Sequence, residues 1–232
     1  FFNDFPKKES ILAYLSEERL ALAEENAATL LAEPTSAGEK LIDLYLQGRL
    51  DLDAPINTYL TASKAPFASA ITARMLMQHV SGLPRTEDSP GGSVGWSEFY
   101  RVPNGSPGTG MSFCEGPTDR KPVAEFRYGD CDFIVLGAVL EKITGKSFET
   151  LVTERFGKPL RLKSVGHFPR RSPTVIGYEG DKRESSQFRL ENFGAAGALY
   201  GTTHDLFAFN RALMTGKLVP NAQRDIMWTG DP

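Results

Sequence analysis

Cysteine, histidine and long apolar runs are all scarce in this chain of 232 residues. Its two cysteines, Cys114 and Cys131, allow at most one internal disulfide, which excludes a scaffold built on disulfides. The alternative for Cys131 is a free thiol packed as a small core residue. The three histidines, His79, His167 and His204, lie far apart with no ligand-like neighbours, so no metal site is expected. No apolar run reaches the ~20 residues that a membrane-spanning helix needs. A basic excess is missing too. The net charge of -3 excludes the broad positive face that nucleic-acid binding requires.

What is present has the composition of an ordinary globular protein, with 41% hydrophobic and 24% charged residues. The length suits one large domain or two small ones. The chain opens on Phe1-Phe2 rather than Met, as a processed or trimmed product would.

Taken in order, residues 6–33 have helical spacing, with Ile11, Leu12, Leu15, Leu30 and Leu31 among the apolar positions and Pro34 as the stop. A second helix is predicted from Ser36 to Gln47, closed by Gly48. Residues 49–56 alternate apolar and charged side chains, the mark of a short extended connection. A further helix begins after Thr72, its N-cap, and closes at Ser81-Gly82-Leu83-Pro84; His79 reads as a helix-end residue that satisfies carbonyls. Residues 86–122 are rich in Gly, Pro, Ser and Asp and read as a long loop, pinned by Trp96, Phe99 and Tyr100.

The segment from Phe126 to Gly145 organises the rest. Tyr128-Gly129-Asp130 is a polar turn, and Phe133, Ile134, Leu136, Val139, Leu140 and Ile143 form an apolar helix face behind it. Asp130 or Asp132 is the expected cap and Gly145 the expected stop. A buried helix thus presents a phenol and a carboxylate at its mouth. Beyond it come a helix from Ser147 to Phe156, a strand at residues 175–178, a small-residue turn at Gly194–Leu199, and a last helix capped by Thr202 or Thr203.

Five segments in this order, GRLDLDAPI (48–56), ITARMLMQHVSGLP (71–84), FRYGDCDFIVLGAVLEKITGKSF (126–148), GKPLRLKSVG (157–166) and AAGALYGTTHDLFAFNRALMTGK (195–217), resemble the serine β-lactamase and penicillin-binding superfamily, on its class C and esterase branch. The resemblance implies an α+β, β-lactamase/transpeptidase-like fold, of which this chain holds mainly the helical portion with few strands. It implies an N-terminal helical segment over residues 1–35, a helical region with long cleft loops over 36–220, and the start of a truncated part over 221–232. A helical half that bares the face meant for a sheet is expected to self-associate. The implied activity is acyl transfer from a small ester or amide through an acyl-enzyme, without a cofactor, as in an esterase, β-lactamase or D-peptidase. An exported or periplasmic location is implied by the resemblance alone.

In that family a serine in Ser-x-x-Lys attacks the carbonyl, a tyrosine in Tyr-x-Asn shuttles the proton, and a Lys- or His-x-Gly strand lines the oxyanion hole. Tyr128 matches the tyrosine. Asp130 stands where asparagine is usual, and its charge opposes the ionisation of the phenol. Using a phenol of pKa ~10 as a base near neutrality means lowering it by about 3 units, or roughly 4 kcal/mol, which a neighbouring lysine favours and an aspartate resists.

Ser-x-x-Lys itself is absent, and the positions where it is expected are Leu31 and Pro34. Thr61-Ala62-Ser63-Lys64 has the spacing but sits in the connection after the helix. The nearest substitute is Ser36 with Lys40, one helical turn apart on one face. The competing reading makes Ser36 an N-cap, with Glu39 completing a capping box. The third motif has no counterpart; Trp228-Thr229-Gly230 follows the last helix too closely. The catalytic candidates are therefore Tyr128, Asp130, Ser36 and Lys40. The alternative function is a non-catalytic binding module on the same fold.

Overall fold

The computed structural model describes residues 48–90, 97–122, 125–168, 178–179, 181–183, 188–222 and 224–225. The predicted helices over 6–33 and 36–47 lie outside these residues, as do Trp96 and residues 175–177 of the predicted strand. Within them the order is α1 (Ala73–Met77), α2 (Gly110–Cys114), α3 (Asp130–Thr144), α4 (Phe148–Val152), a π-helical turn (Thr153–Gly157), α5 (Lys158–Leu160) and α6 (Thr203–Met214). Strands β1 (Gly166–His167) and β4 (Leu199–Tyr200) pair antiparallel, with Gly166 opposite Tyr200. Strands β2 (Tyr178–Glu179) and β3 (Lys182–Arg183) form a second antiparallel pair. The described part is thus mainly helical, with two two-stranded sheets.

Helix α3 is the axis of the core. Its Ile134, Val135, Leu136 and Val139 are buried together with Leu76 and Met77 of α1, Phe99, Phe193 and the connection residues Leu50, Leu52 and Ile56. The alternation over 49–56 follows from this: the leucines point inward, while Asp53 stays outside and takes both nitrogens of the Arg74 fork at 2.7 Å. Gly145, in the left-handed region at φ +69°, ends α3 as expected. The start differs. Gly129 holds the N-cap position with no side-chain cap, and Asp130 and Asp132 sit inside the first turn. Neither aspartate caps, because each is committed to a partner elsewhere in the chain.

Thr72 caps α1, accepting from the Met75 amide at 3.2 Å, and Thr202 caps α6. Ser147 caps a helix shorter than expected, since the π-helical turn takes over at Thr153. The predicted long loop is less irregular than its composition implies. It contains α2, whose Thr109 and Ser112 form a capping box. Phe99 is fully buried, in edge contact with Phe113 and Phe193. The Asn192 amide fastens the same loop by donating to the Phe99 and Val102 carbonyls at 2.6 and 2.9 Å. On α6, Leu213 packs in a satellite cluster with Ala212, Leu218 and Val219, whereas Leu206, Phe207 and Met214 are exposed.

One close approach dictates residue size. The Leu190–Ala196 segment, largely 3₁₀, lies so near α3 that a Cβ at Gly137 would sit 2.5 Å from the Ala195 Cβ. Gly137 is there to let two backbones touch. Gly137→Ala is therefore expected to destabilise the fold by about 1–3 kcal/mol of overpacking, less the ~1 kcal/mol gained from helix propensity. Adding Ala195→Gly removes the clash, so a denaturant titration should find the double variant more stable than Gly137→Ala alone.

Candidate functional site

The turn Arg127-Tyr128-Gly129 enters α3, and successive residues of the helix's first turn tie it to different parts of the chain. Asp130 Oδ2 accepts a 2.6 Å hydrogen bond from the Thr86 hydroxyl, across 44 positions of sequence. Cys131 forms a disulfide with Cys114 of α2, at a Cα–Cα distance of 5.3 Å, and both residues are wholly buried. Asp132 Oδ2 lies 3.1 Å from His79 Nδ1, 53 positions away. The disulfide resolves the alternatives left by the cysteine count: Cys131 is a core residue and is also paired.

His79 does more than end a helix. Its ring does not turn back to the α1 carbonyls, because its Nδ1 faces Asp132 and its Nε2 has no partner among the described residues. The imidazole packs against Tyr128 at 4.7 Å, Phe133 at 5.2 Å and Phe126 at 5.8 Å between ring centroids. The His79 carbonyl meanwhile accepts the Arg127 N–H at 2.9 Å. Gly82 closes the same bend at φ +75°, where a Cβ would meet the Lys121 carbonyl carbon at 2.8 Å.

Tyr128 is 40% exposed, so its phenol is reachable while its ring is seated on the core. Burial pushes that phenol above its usual pKa, and the carboxylates of Asp130 and Glu87 push it the same way. Tyr100 is raised for the same reasons, burial first, with a hydrogen bond to Thr86 opposing the rise. Burial also raises Asp132, against hydrogen bonds from His79 and Ser81 that favour its charged form. Tyr128 as set here is a proton-holding phenol, and using it as a base requires a cation to be brought alongside.

Of the sequence-predicted site residues, Tyr128 and Asp130 lie close enough for the carboxylate to act on the phenol. Ser36 and Lys40 lie outside the described residues, as do Leu31, Pro34 and Trp228-Thr229-Gly230. Ser63 is engaged with the residue that ends α2: its hydroxyl donates to Glu115 at 3.1 Å, and the Lys64 amide donates to the same oxygen at 2.8 Å. Thr86, Glu87 and the pairing of His79 with Asp132 are not singled out by the sequence, which marks Tyr100 only as a residue pinning its loop. Their separations leave no local pattern to read. Among the described residues, no group of three or more His, Cys, Asp and Glu can hold a metal, and no helix is long and apolar enough to cross a membrane.

Comparison with known proteins bears on the family and the fold. The family model Beta-lactamase matches residues 37–231. Teichoic acid D-alanine hydrolase of Staphylococcus aureus is 25% identical over 199 residues, which is 83% of this chain and 45% of that protein. D-amino acid amidase from Ochrobactrum anthropi SV3, solved with L-phenylalanine, superposes with a TM-score of 0.63 at 23% identity, covering 78% of this chain and 52% of that one. The penicillin binding protein from Bacillus halodurans gives a TM-score of 0.61 at 23% identity, with 80% and 57% covered. The chain thus spans about half the length of the relatives it matches, and the structural likenesses establish the β-lactamase/transpeptidase-like fold.

The electrostatic reading has a direct check. Asp130→Asn removes a negative charge that opposes ionisation of both phenols, so the pKa of Tyr128 and of Tyr100 should fall. A pH titration of ¹³Cζ-labelled tyrosine by NMR reads each ring separately, and an unchanged Tyr128 titration would refute the assignment.

Proposed function

Because the chain belongs to the beta-lactamase family, whose model matches residues 37–231, we propose that it works as a serine acyl hydrolase. The substrate class is a small ester or amide, and the route is an acyl-enzyme. The serine hydroxyl adds to the carbonyl and gives up its proton; the alcohol or amine leaves with a proton; water then releases the acid and regenerates the serine. Tyr128 relays the proton in this scheme and Asp130 fixes the turn that carries it. Ser36 is the proposed nucleophile and Lys40 the cation that brings the phenol down. The family match starts one residue beyond Ser36 and takes in Lys40.

One observation supports the reading: a partly exposed phenol on a turn that leads into a tethered helix start, in a segment whose sequence resembles the one carrying the family's proton-relaying tyrosine. Among acyl groups, D-aminoacyl esters and amides are the first to try. The D-alanine hydrolase and D-amino acid amidase relatives support that choice, as do the carboxylates of Asp130 and Glu87, whose charge suits a substrate ammonium.

A second reading, a binding module without turnover, draws on Asp130 and on the raised phenol, since both weigh against base chemistry. Intact-mass measurement after incubation with a fluorophosphonate probe separates the two. Catalysis predicts a single adduct that peptide mapping places on Ser36 and that Ser36→Ala abolishes. An adduct that persists unchanged in Ser36→Ala would reassign the nucleophile, and the absence of any adduct favours the binding module.

A further inference from the structure

The pair beneath Tyr128 has features that a helix terminator does not need. His79 adopts a left-handed backbone at φ +55°, a region that glycine occupies without strain and that other residues seldom enter. A position that only ended α1 would favour glycine. Here an imidazole is kept, with a side chain fully buried and a carboxylate 5% exposed beside it. The buried proton belongs on Nδ1, because Nε2 has no acceptor among the described residues while Nδ1 has Asp132 at 3.1 Å. The Gly129 N–H also approaches Nδ1, at 3.4 Å, but one nitrogen cannot donate and accept along a single lone-pair direction. The nearer carboxylate takes precedence.

With that bond made, the ring cannot turn about its Cβ–Cγ axis, and the ring is what Tyr128 rests on at 4.7 Å. The same residue also receives the Arg127 N–H on its carbonyl. We infer that His79 and Asp132 are positioning residues for Tyr128: Asp132 accepts the His79 Nδ1 proton, and the imidazole so oriented is the seat of the phenol. Neither residue touches substrate. Their part in turnover rests on the acyl hydrolase reading of Tyr128; their part in placing the phenol does not.

The discriminating series is Asp132→Ala against Asp132→Asn. Asparagine keeps a carbonyl oxygen for the Nδ1 proton, whereas alanine leaves the imidazole free to turn. On p-nitrophenyl acetate, Asp132→Ala should lose about 10- to 100-fold in kcat, the scale of a misplaced proton carrier, with KM held within about twofold. Asp132→Asn should stay within about threefold of the parent kcat, because the geometry is retained. The ¹³Cζ resonance of Tyr128, assigned by its loss in Tyr128→Phe, should move in Asp132→Ala and stay in place in Asp132→Asn. If Asp132→Ala does not fold, His79→Leu replaces it in the kcat comparison, and the resonance is read only in Asp132→Asn. Equal kcat in the alanine and asparagine variants, with the Tyr128 resonance unmoved in both, overturns the inference. A parent protein that hydrolyses neither p-nitrophenyl acetate nor D-alanine p-nitroanilide defeats the hydrolase reading instead. In that case the resonance alone decides: moved by alanine and not by asparagine supports the pair, and unmoved by both overturns it.

Discussion

Everything at the site depends on the first turn of α3 being held still. Asp130, Cys131 and Asp132 are bound respectively to Thr86, Cys114 and His79, so a hydrogen bond, a covalent bond and a buried polar pair converge within one helical turn. Each tether reaches a different segment: the loop after Pro84, helix α2, and the end of α1. Together they hold a helix start that has no side-chain cap at Gly129. A capped helix would be locally content. This one is fastened to its surroundings, and the turn ahead of it inherits that rigidity.

Rigidity of this kind has an electrostatic consequence. Burial of the two phenols, with the Asp130 carboxylate beside them, pushes Tyr128 and Tyr100 further toward their protonated forms. A phenol in this setting ionises more easily only when positive charge is placed beside it. A lysine from the same chain or an ammonium on the substrate satisfies the requirement equally well in electrostatic terms.

The fold was legible where its signals are local. The apolar spacing of Ile134, Leu136 and Val139, the stop at Gly145, the cap at Thr72 and the cap at Thr202, one of two alternatives with Thr203, are each written within a few residues, and each appears in the structure. The partners of the site were not legible, because Thr86–Asp130 and His79–Asp132 join residues 44 and 53 positions apart, and a lone threonine or histidine has no pattern of its own. The same distance effect explains the misjudged cap. An aspartate in a helical first turn is read as a cap from sequence, and only the structure shows that Gly129 takes the N-cap position while one oxygen of each aspartate turns to a distant partner. The role expected for Tyr128 came from family resemblance, since composition and periodicity alone also fit a packed core tyrosine.

The most direct measurement is the turnover of Tyr128→Phe on p-nitrophenyl acetate and D-alanine p-nitroanilide, with folding checked by thermal denaturation. If the tethered turn exists to present a proton-relaying phenol, the variant stays folded and loses about 10²- to 10⁴-fold in kcat, the span that positioned acid–base groups contribute. A folded Tyr128→Phe protein that turns over both substrates at the parent rate would contradict the account.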